Sequence, residues 1–319
     1  MAFRTLVKSG NTSFVVSLPI EWVRENKLAA GDTISLSYGT NGHLLISPQE
    51  LKESPKVEET CINIDGKDTN DLRNEIISAY IDDFKNIRLV GKEIKDKSVM
   101  ITEIIQGLIA LDVIEHTPQH IIARNFFDYK DTSASMVLKK EDIILRAMLV
   151  EIKKFFQKGL RAKDYEEINN LNEQINKLNL LAMKVTKKAL TDPNIAKMFE
   201  LNYLEIVLTS KINFFLENIS HHLKSIAQDL VYLDEKKKTV KSLEQIYSTT
   251  ERIYVEMMNN HHQKNRNQMS KLVKEEKEIM ERIDNIHRVN DDLLVGKALE
   301  NMKVIHEYLI RITKLCLSF

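Results

Sequence analysis

The chain has 319 residues, 43% hydrophobic and 29% charged, the balance of a globular protein rather than a disordered one. Lys plus Arg equals Asp plus Glu at 46 each, so no overall field draws in nucleic acid, and any DNA contact must come from a local arrangement of cations. No apolar run reaches the roughly 18–20 residues that span a bilayer. Arg4, Lys8 and Asn11 interrupt what would be the apolar centre of a secretory leader. These features predict a cytoplasmic protein that does not span a membrane. Cys61 and Cys316 lie far apart without CxxC spacing, which predicts reduced thiols rather than a disulfide or a metal pair.

The first 48 residues read as β structure. Thr5-Leu-Val and Phe14-Val-Val-Ser-Leu-Pro are strand-like runs separated by a turn composition that includes Gly10 and Asn11. Pro19 pre-sets the first turn of a short helix over residues 20–26, with Trp22 and Val23 expected inward. Gly31 and Asp32 turn the chain into a period-two strand over 33–38, and Asn41-Gly42 signals a hairpin before Leu44-Leu-Ile. A segment of this size buries little core, since domains below about 40–60 residues are marginal without a staple or a partner. It therefore predicts a homodimer or higher oligomer. Residues 49–59 have the composition of a linker.

Residues 60–134 predict a small α/β segment, with strands at Cys61-Ile-Asn-Ile, Ile87-Arg-Leu-Val and His120-Ile-Ile-Ala and helices over 70–84 and 99–108. Their topology is open from the sequence. After residue 120 the chain holds one proline, Pro193, and two glycines, Gly159 and Gly296, so long helices with few breaks follow. Ile144, Met148, Ile152 and Phe155 make one stripe. Ile168, Leu171, Ile175, Leu178, Ala182, Val185 and Ala189 repeat in steps of three and four, and Leu204 to Leu230 continue that spacing. Three more runs follow, over 240–257, 272–286 and 302–316. Turns are expected at 159–164, 192–194, 234–238, 259–265 and 289–292, giving antiparallel three-helix bundles over 135–234 and 235–319.

The Val15-Val-Ser-Leu-Pro-Ile-Glu-Trp-Val segment, with Gly31-Asp32 downstream and the Gly42 hairpin, resembles the SpoVT/AbrB swapped-hairpin domain. It is closest to the version fused to PhoU-like phosphate-uptake regulators of archaea, and the order of six helices as three plus three looks like the PhoU fold. The resemblance implies a multidomain chain: an all-β swapped-hairpin DNA-binding and dimerisation domain, a short α/β segment, and an all-α PhoU-like pair of bundles.

In swapped-hairpin domains, basic side chains near the first strand and on the short helix face DNA. Matched by residue, Arg4 and Arg24 fall on such positions, and Lys8 and Lys27 are near by spacing. Arg4 and Lys8 share strand parity, so both point to one face, and an Arg fork suits phosphate or a guanine edge. Ser13 departs from the pattern, standing where bacterial relatives often carry Arg. Glu21, Glu25, Asp32 and Glu50 balance the four cations, so the alternative is an ordinary solvated surface on a domain that only dimerises.

PhoU-like bundles carry acidic E/D-x-x-x-D motifs that hold divalent or iron-type metal ions. Glu217-Asn-Ile-Ser-His221 occupies one motif position with His in place of Asp, and helical phase puts both side chains on a common surface. Val304 ends the corresponding motif at Glu300, and Asn176 stands where an acid is expected. A solvated i,i+4 polar pair is the alternative. The doublets His221-His222 and His261-His262 point about 100° apart on a helix and form no site unaided, and His222 is expected to pack. The sequence contains no GxGxxG, Walker, GxSxG, HExxH or paired CxxC motif, so no enzyme is expected.

Two functions fit these readings. One is a DNA-binding regulator of phosphate uptake whose helical part senses phosphate status or couples to partners. The other is a cytoplasmic adaptor that dimerises through its β domain and modulates a phosphate ABC transporter component or signalling protein without touching DNA.

Overall fold

A computed structural model describes residues 3–38, 44–48, 58–159, 161–233, 238–288 and 291–318, and the chain divides into two compact units, Met1–Val57 and Glu58–Phe319.

The first unit holds two hairpins and one short helix. Strands β1 (Val7–Ser9) and β2 (Ser13–Val15) pair antiparallel with Lys8 opposite Phe14, closed by Gly10 at a φ of 73° that suits glycine. Pro19 then caps α1 (Ile20–Glu25). This helix ends in a Schellman motif: Lys27 N–H donates to the Arg24 carbonyl, Leu28 N–H donates to the Val23 carbonyl, and Lys27 takes the left-handed conformation at φ 55°. Strands β3 (Ser35–Tyr38) and β4 (Leu44–Ser47) form the second hairpin. Its tip, where Asn41-Gly42 was expected to turn the chain, lies outside the described residues, as do Glu50 and residues 51–57 of the expected linker.

Two details of this unit differ from the sequence expectation. The first strand starts at Val7 rather than Thr5, because its partner strand runs only from Ser13 to Val15 and the register ends with Val7 opposite Val15. Arg4 therefore lies outside the ladder and does not share a strand face with Lys8. Trp22 and Val23 are half-exposed rather than inward, since no described side chain in residues 3–48 is buried.

The second unit begins with an α/β layer. Strand β5 (Glu59–Asn63) leads through α2 (Thr69–Ile81) to β6 (Asn86–Val90), and α3 (Ile94–Gln106) leads to the hairpin of β7 (Leu111–His116) and β8 (His120–Asn125). The sheet order is β5-β6-β8-β7, with β5 and β6 parallel and the other pairs antiparallel. Leu72, Ile76 and Tyr80 of α2 and Ile101, Ile104 and Ile105 of α3 close over Ile62, Ile87, Leu89 and Ile121 of the sheet. Strand β7 was not expected, because a bulge between Val113 and Glu115 leaves Ile114 on the solvent side and breaks the period-two alternation. Helix α3 starts five residues before the expected Val99. Its first turn is held by Asp65, whose carboxylate accepts from the backbone N–H of Lys92 and Glu93, a cap 27 residues away in sequence.

Eight helices complete the described part of this unit. They are α4 (Ala134–Lys153), α5 (Phe155–Lys158), α6 (Ala162–Thr191), α7 (Pro193–Met198), α8 (Tyr203–Val231), α9 (Lys238–His262), α10 (Arg266–Arg288) and α11 (Leu293–Ser318). Helices α4, α6 and α8 pack on one another, as do α9, α10 and α11. The two sets share one core, because α8 also packs along α11 and α4 packs on α9. The expected turn at 192–194 is instead a longer connection. Pro193 starts the extra helix α7 after Asp192, and Asn202 with Glu205 forms the capping box that opens α8.

The layer and the helices meet at Lys184 of α6, which is fully buried. Its ammonium lies 3.3 Å from Asp83 and 4.3 Å from the centre of the Tyr80 ring. Burial pulls the Lys184 pKa down to about 8, against the opposing pull of Asp83. Lys177 adds a bond to the Gln106 carbonyl at 3.1 Å, and Lys187 pairs with Asp82. None of the helices in the described residues is long and apolar enough to cross a membrane.

Candidate functional site

The N-terminal unit exposes what a folded domain normally hides. Phe3, Leu6, Val7, Phe14, Val15 and Ile20 are each between 53% and 85% exposed. Residues 3–6 and 16–18 lie outside the ladder. This 48-residue segment leaves open strand edges and a large apolar surface uncovered.

The four expected DNA-contacting cations are distributed around this unit. Lys8 sits in β1, on the strand that carries exposed Val7, and Arg24 closes the last turn of α1. Lys27 projects from the left-handed position just past that turn. Arg4 lies before β1 and donates to the carbonyl of Phe3 at 3.1 Å. All four are exposed, and none forms an ion pair among the described residues. Ser13 is committed locally, its hydroxyl donating to the Ser9 carbonyl at 2.5 Å across the hairpin.

The second place of interest lies inside the first set of helices. Glu217 and His221 of α8 do approach, with Oε1 and Nε2 3.6 Å apart on a partly exposed face. The unexpected member is Glu141 of α4, fully buried with no hydrogen-bond partner on either carboxylate oxygen. Burial first, and the Glu217 charge second, raise its pKa well above the ordinary carboxylate range. Asn213 of α8 is also buried with both amide atoms unpartnered. The side-chain oxygens of Asn172 and Asn176 on α6 are unpartnered too, while the Asn172 amide donates to Ser220 at 2.8 Å.

A buried acceptor without a donor costs about 1–3 kcal/mol. Three packed helices thus carry several such groups, with carboxylates on two of them and no cation beside Glu141. Oxygen groups of this kind suit a hard, oxygen-preferring cation, for which Glu141 and Glu217 would supply the carboxylates. Among the described residues, no three His, Cys, Asp or Glu side chains come together in a group that could hold a metal ion. The sequence signal for Glu141 was a charged residue inside the apolar stripe of Leu138, Leu145 and Met148.

The other three histidines of the two doublets have partners of their own. His222 bonds Asn301 at 2.8 Å, His262 bonds Asp142 at 3.0 Å and His261 lies 3.3 Å from the Cys316 sulfur. Glu300 lies 3.4 Å from His287.

Residues 7–54 match the family model described as antidote-toxin recognition MazE, bacterial antitoxin. The match covers the small β unit and leaves the helical unit unmatched. No curated protein and no solved structure matches the chain.

Proposed function

We propose that the chain is a DNA-binding transcriptional regulator. Two copies of the N-terminal unit complete one another into a β reading head, and the helical unit couples that head to an ion or a partner. The observation that carries this reading is the half-finished N-terminal unit, with no buried described side chain and free cations on its strand and helix. The MazE-type match over 7–54 supports a regulator of the DNA-binding or antitoxin kind. In this reading Arg24 and Lys8 bond phosphate oxygens or base edges, and pairing doubles each cation across a two-fold axis. The chain carries out no catalytic step and works in the cytoplasm. Control of phosphate uptake, through PhoU-like helices, rests on the sequence resemblance.

The test is fluorescence anisotropy of the full chain on its own upstream DNA and on random duplex across a salt series. Tight binding with preference for the upstream duplex is expected. Arg4→Ala with Arg24→Ala should flatten the salt dependence, by about 0.9 in log–log slope for each phosphate that the variant no longer neutralises, while leaving the dimer intact. Unchanged affinity in that double variant would remove these residues from the interface.

The adaptor reading keeps one observation of its own. The four cations face Glu21, Glu25 and Asp32 in the same small unit, so its net charge is close to neutral. Under that reading the full chain binds no duplex even at low salt, and a pull-down returns a phosphate transporter component or a signalling protein.

A further inference from the structure

A cavity of about 340 Å³ opens between the starts of α4 and α8, the α9–α10 junction and the end of α11. Its volume falls in the range of small-ligand pockets. Leu138, Leu201, Leu208 and Met269 supply apolar walls. The mouth is cationic: Lys139, Lys264 and Arg266 line it against a single carboxylate, Glu205. Glu205 is already engaged, capping Asn202 at the start of α8 and lying 3.8 Å from Lys264. Lys139 and Arg266 are exposed and form no ion pair among the described residues.

The Cys316 thiol sits 3.3 Å from His261 Nδ1. Burial pushes the thiol up to about 11 and, with the neighbouring His262, pulls the His261 imidazole down to about 4. Both groups are thus uncharged at neutral pH. Asp142 behind them is spoken for, accepting from Tyr254, Arg146 and His262 at 2.9, 2.9 and 3.0 Å. The site therefore joins apolar walls, neutral polar groups that include Ser135, Thr209, Asn260 and Asn265, and three cations, Lys139, Lys264 and Arg266, against the one carboxylate of Glu205.

We propose that this cavity binds a small amphipathic anion, a singly charged acid with a short apolar chain. Its acid group faces Lys139 and Arg266 and its body lies against Leu208 and Met269. The proposal stands apart from DNA recognition, because the cavity belongs wholly to the helical unit and its occupancy is measured without DNA.

Calorimetric titration of the full chain with octanoate, 1-octanol and octylamine tests it, since the three probes share one tail and differ in charge. Octanoate is expected to bind at least about tenfold more tightly than the other two, a discrimination of about 1.4 kcal/mol. In Lys139→Glu with Arg266→Glu, two surface changes that leave the core intact, octanoate loses that advantage and octylamine gains. Leu208→Trp fills the cavity and abolishes binding; should its thermal melt show misfolding, the surface double variant decides alone. Equal affinity for the three probes overturns the proposal. So does octanoate binding that the double variant leaves unchanged, or no binding of octanoate at millimolar concentration.

Discussion

Replacing Phe14 by alanine removes the largest exposed apolar side chain of β2 without touching a cation. Full burial of a phenylalanine is worth about 1.5–3 kcal/mol. In a single copy the ring is 66% exposed, so about two thirds of that, about 1–2 kcal/mol, remains to be gained on pairing. A symmetric dimer gains it twice, about 2–4 kcal/mol. At 1.4 kcal/mol for each factor of ten, Phe14→Ala weakens the dimer by about thirty- to several-hundred-fold. Sedimentation equilibrium over a range of protein concentrations measures this directly. Phe214→Ala on α8 is the control, since that ring is similarly exposed at 55% but lies in the helical unit, and it should leave the dimer constant unchanged. A wild-type chain that stays monomeric at every concentration would refute the reasoning, as would a Phe14→Ala dimer of native strength. Because DNA binding needs the completed head, Phe14→Ala should also shift half-saturation of the upstream duplex to the protein concentration at which the dimer forms.

Lys27 separates backbone from charge. Its φ of 55° costs an L-residue about 1–2 kcal/mol, so Lys27→Gly should raise the melting temperature while Lys27→Ala leaves it nearly unchanged, and both should weaken duplex binding alike if the ammonium contacts DNA. A cation held at the unpartnered Glu141 carboxylate predicts that millimolar magnesium, calcium or manganese raises the melting temperature of the wild-type chain and not that of Glu141→Gln; equal shifts in both proteins would reject a cation held there. Lys184 predicts an unusual alkaline response. Its pKa is about 8 when folded and about 10.4 when unfolded, so the unfolded chain binds more protons between those values and stability rises with pH across that window. The gain, about 3 kcal/mol at most, is read from urea midpoints at several pH values and should vanish in Lys184→Met.

The chemistry of the chain divides by range. Periodicity located the long helices: the Ile168–Ile175–Ala182–Ala189 stripe of α6 is a local pattern, and its spacing alone requires one buried face. The Leu-Pro, Trp-Val and Gly-Asp signals likewise marked a small β unit too short to close a core, because backbone restriction and turn chemistry act within a few residues. Features decided at long range stayed hidden. The start of α3 depends on Asp65 reaching over from another loop, and β7 on a bulge that only its pairing with β8 reveals. The buried Lys184 finds its acceptor only once α6 lies against the α/β layer. Glu141 and Asn213 look like ordinary polar residues until three helices enclose them. His261 meets Cys316, 55 residues away, only because α11 returns along α9 to wall the cavity. Sequence by itself determined which helix faces must be buried and that the N-terminal unit is too short to bury its own apolar surface. The tertiary structure decided which polar groups those faces trap together, since trapping depends on the register between helices, which no local spacing encodes.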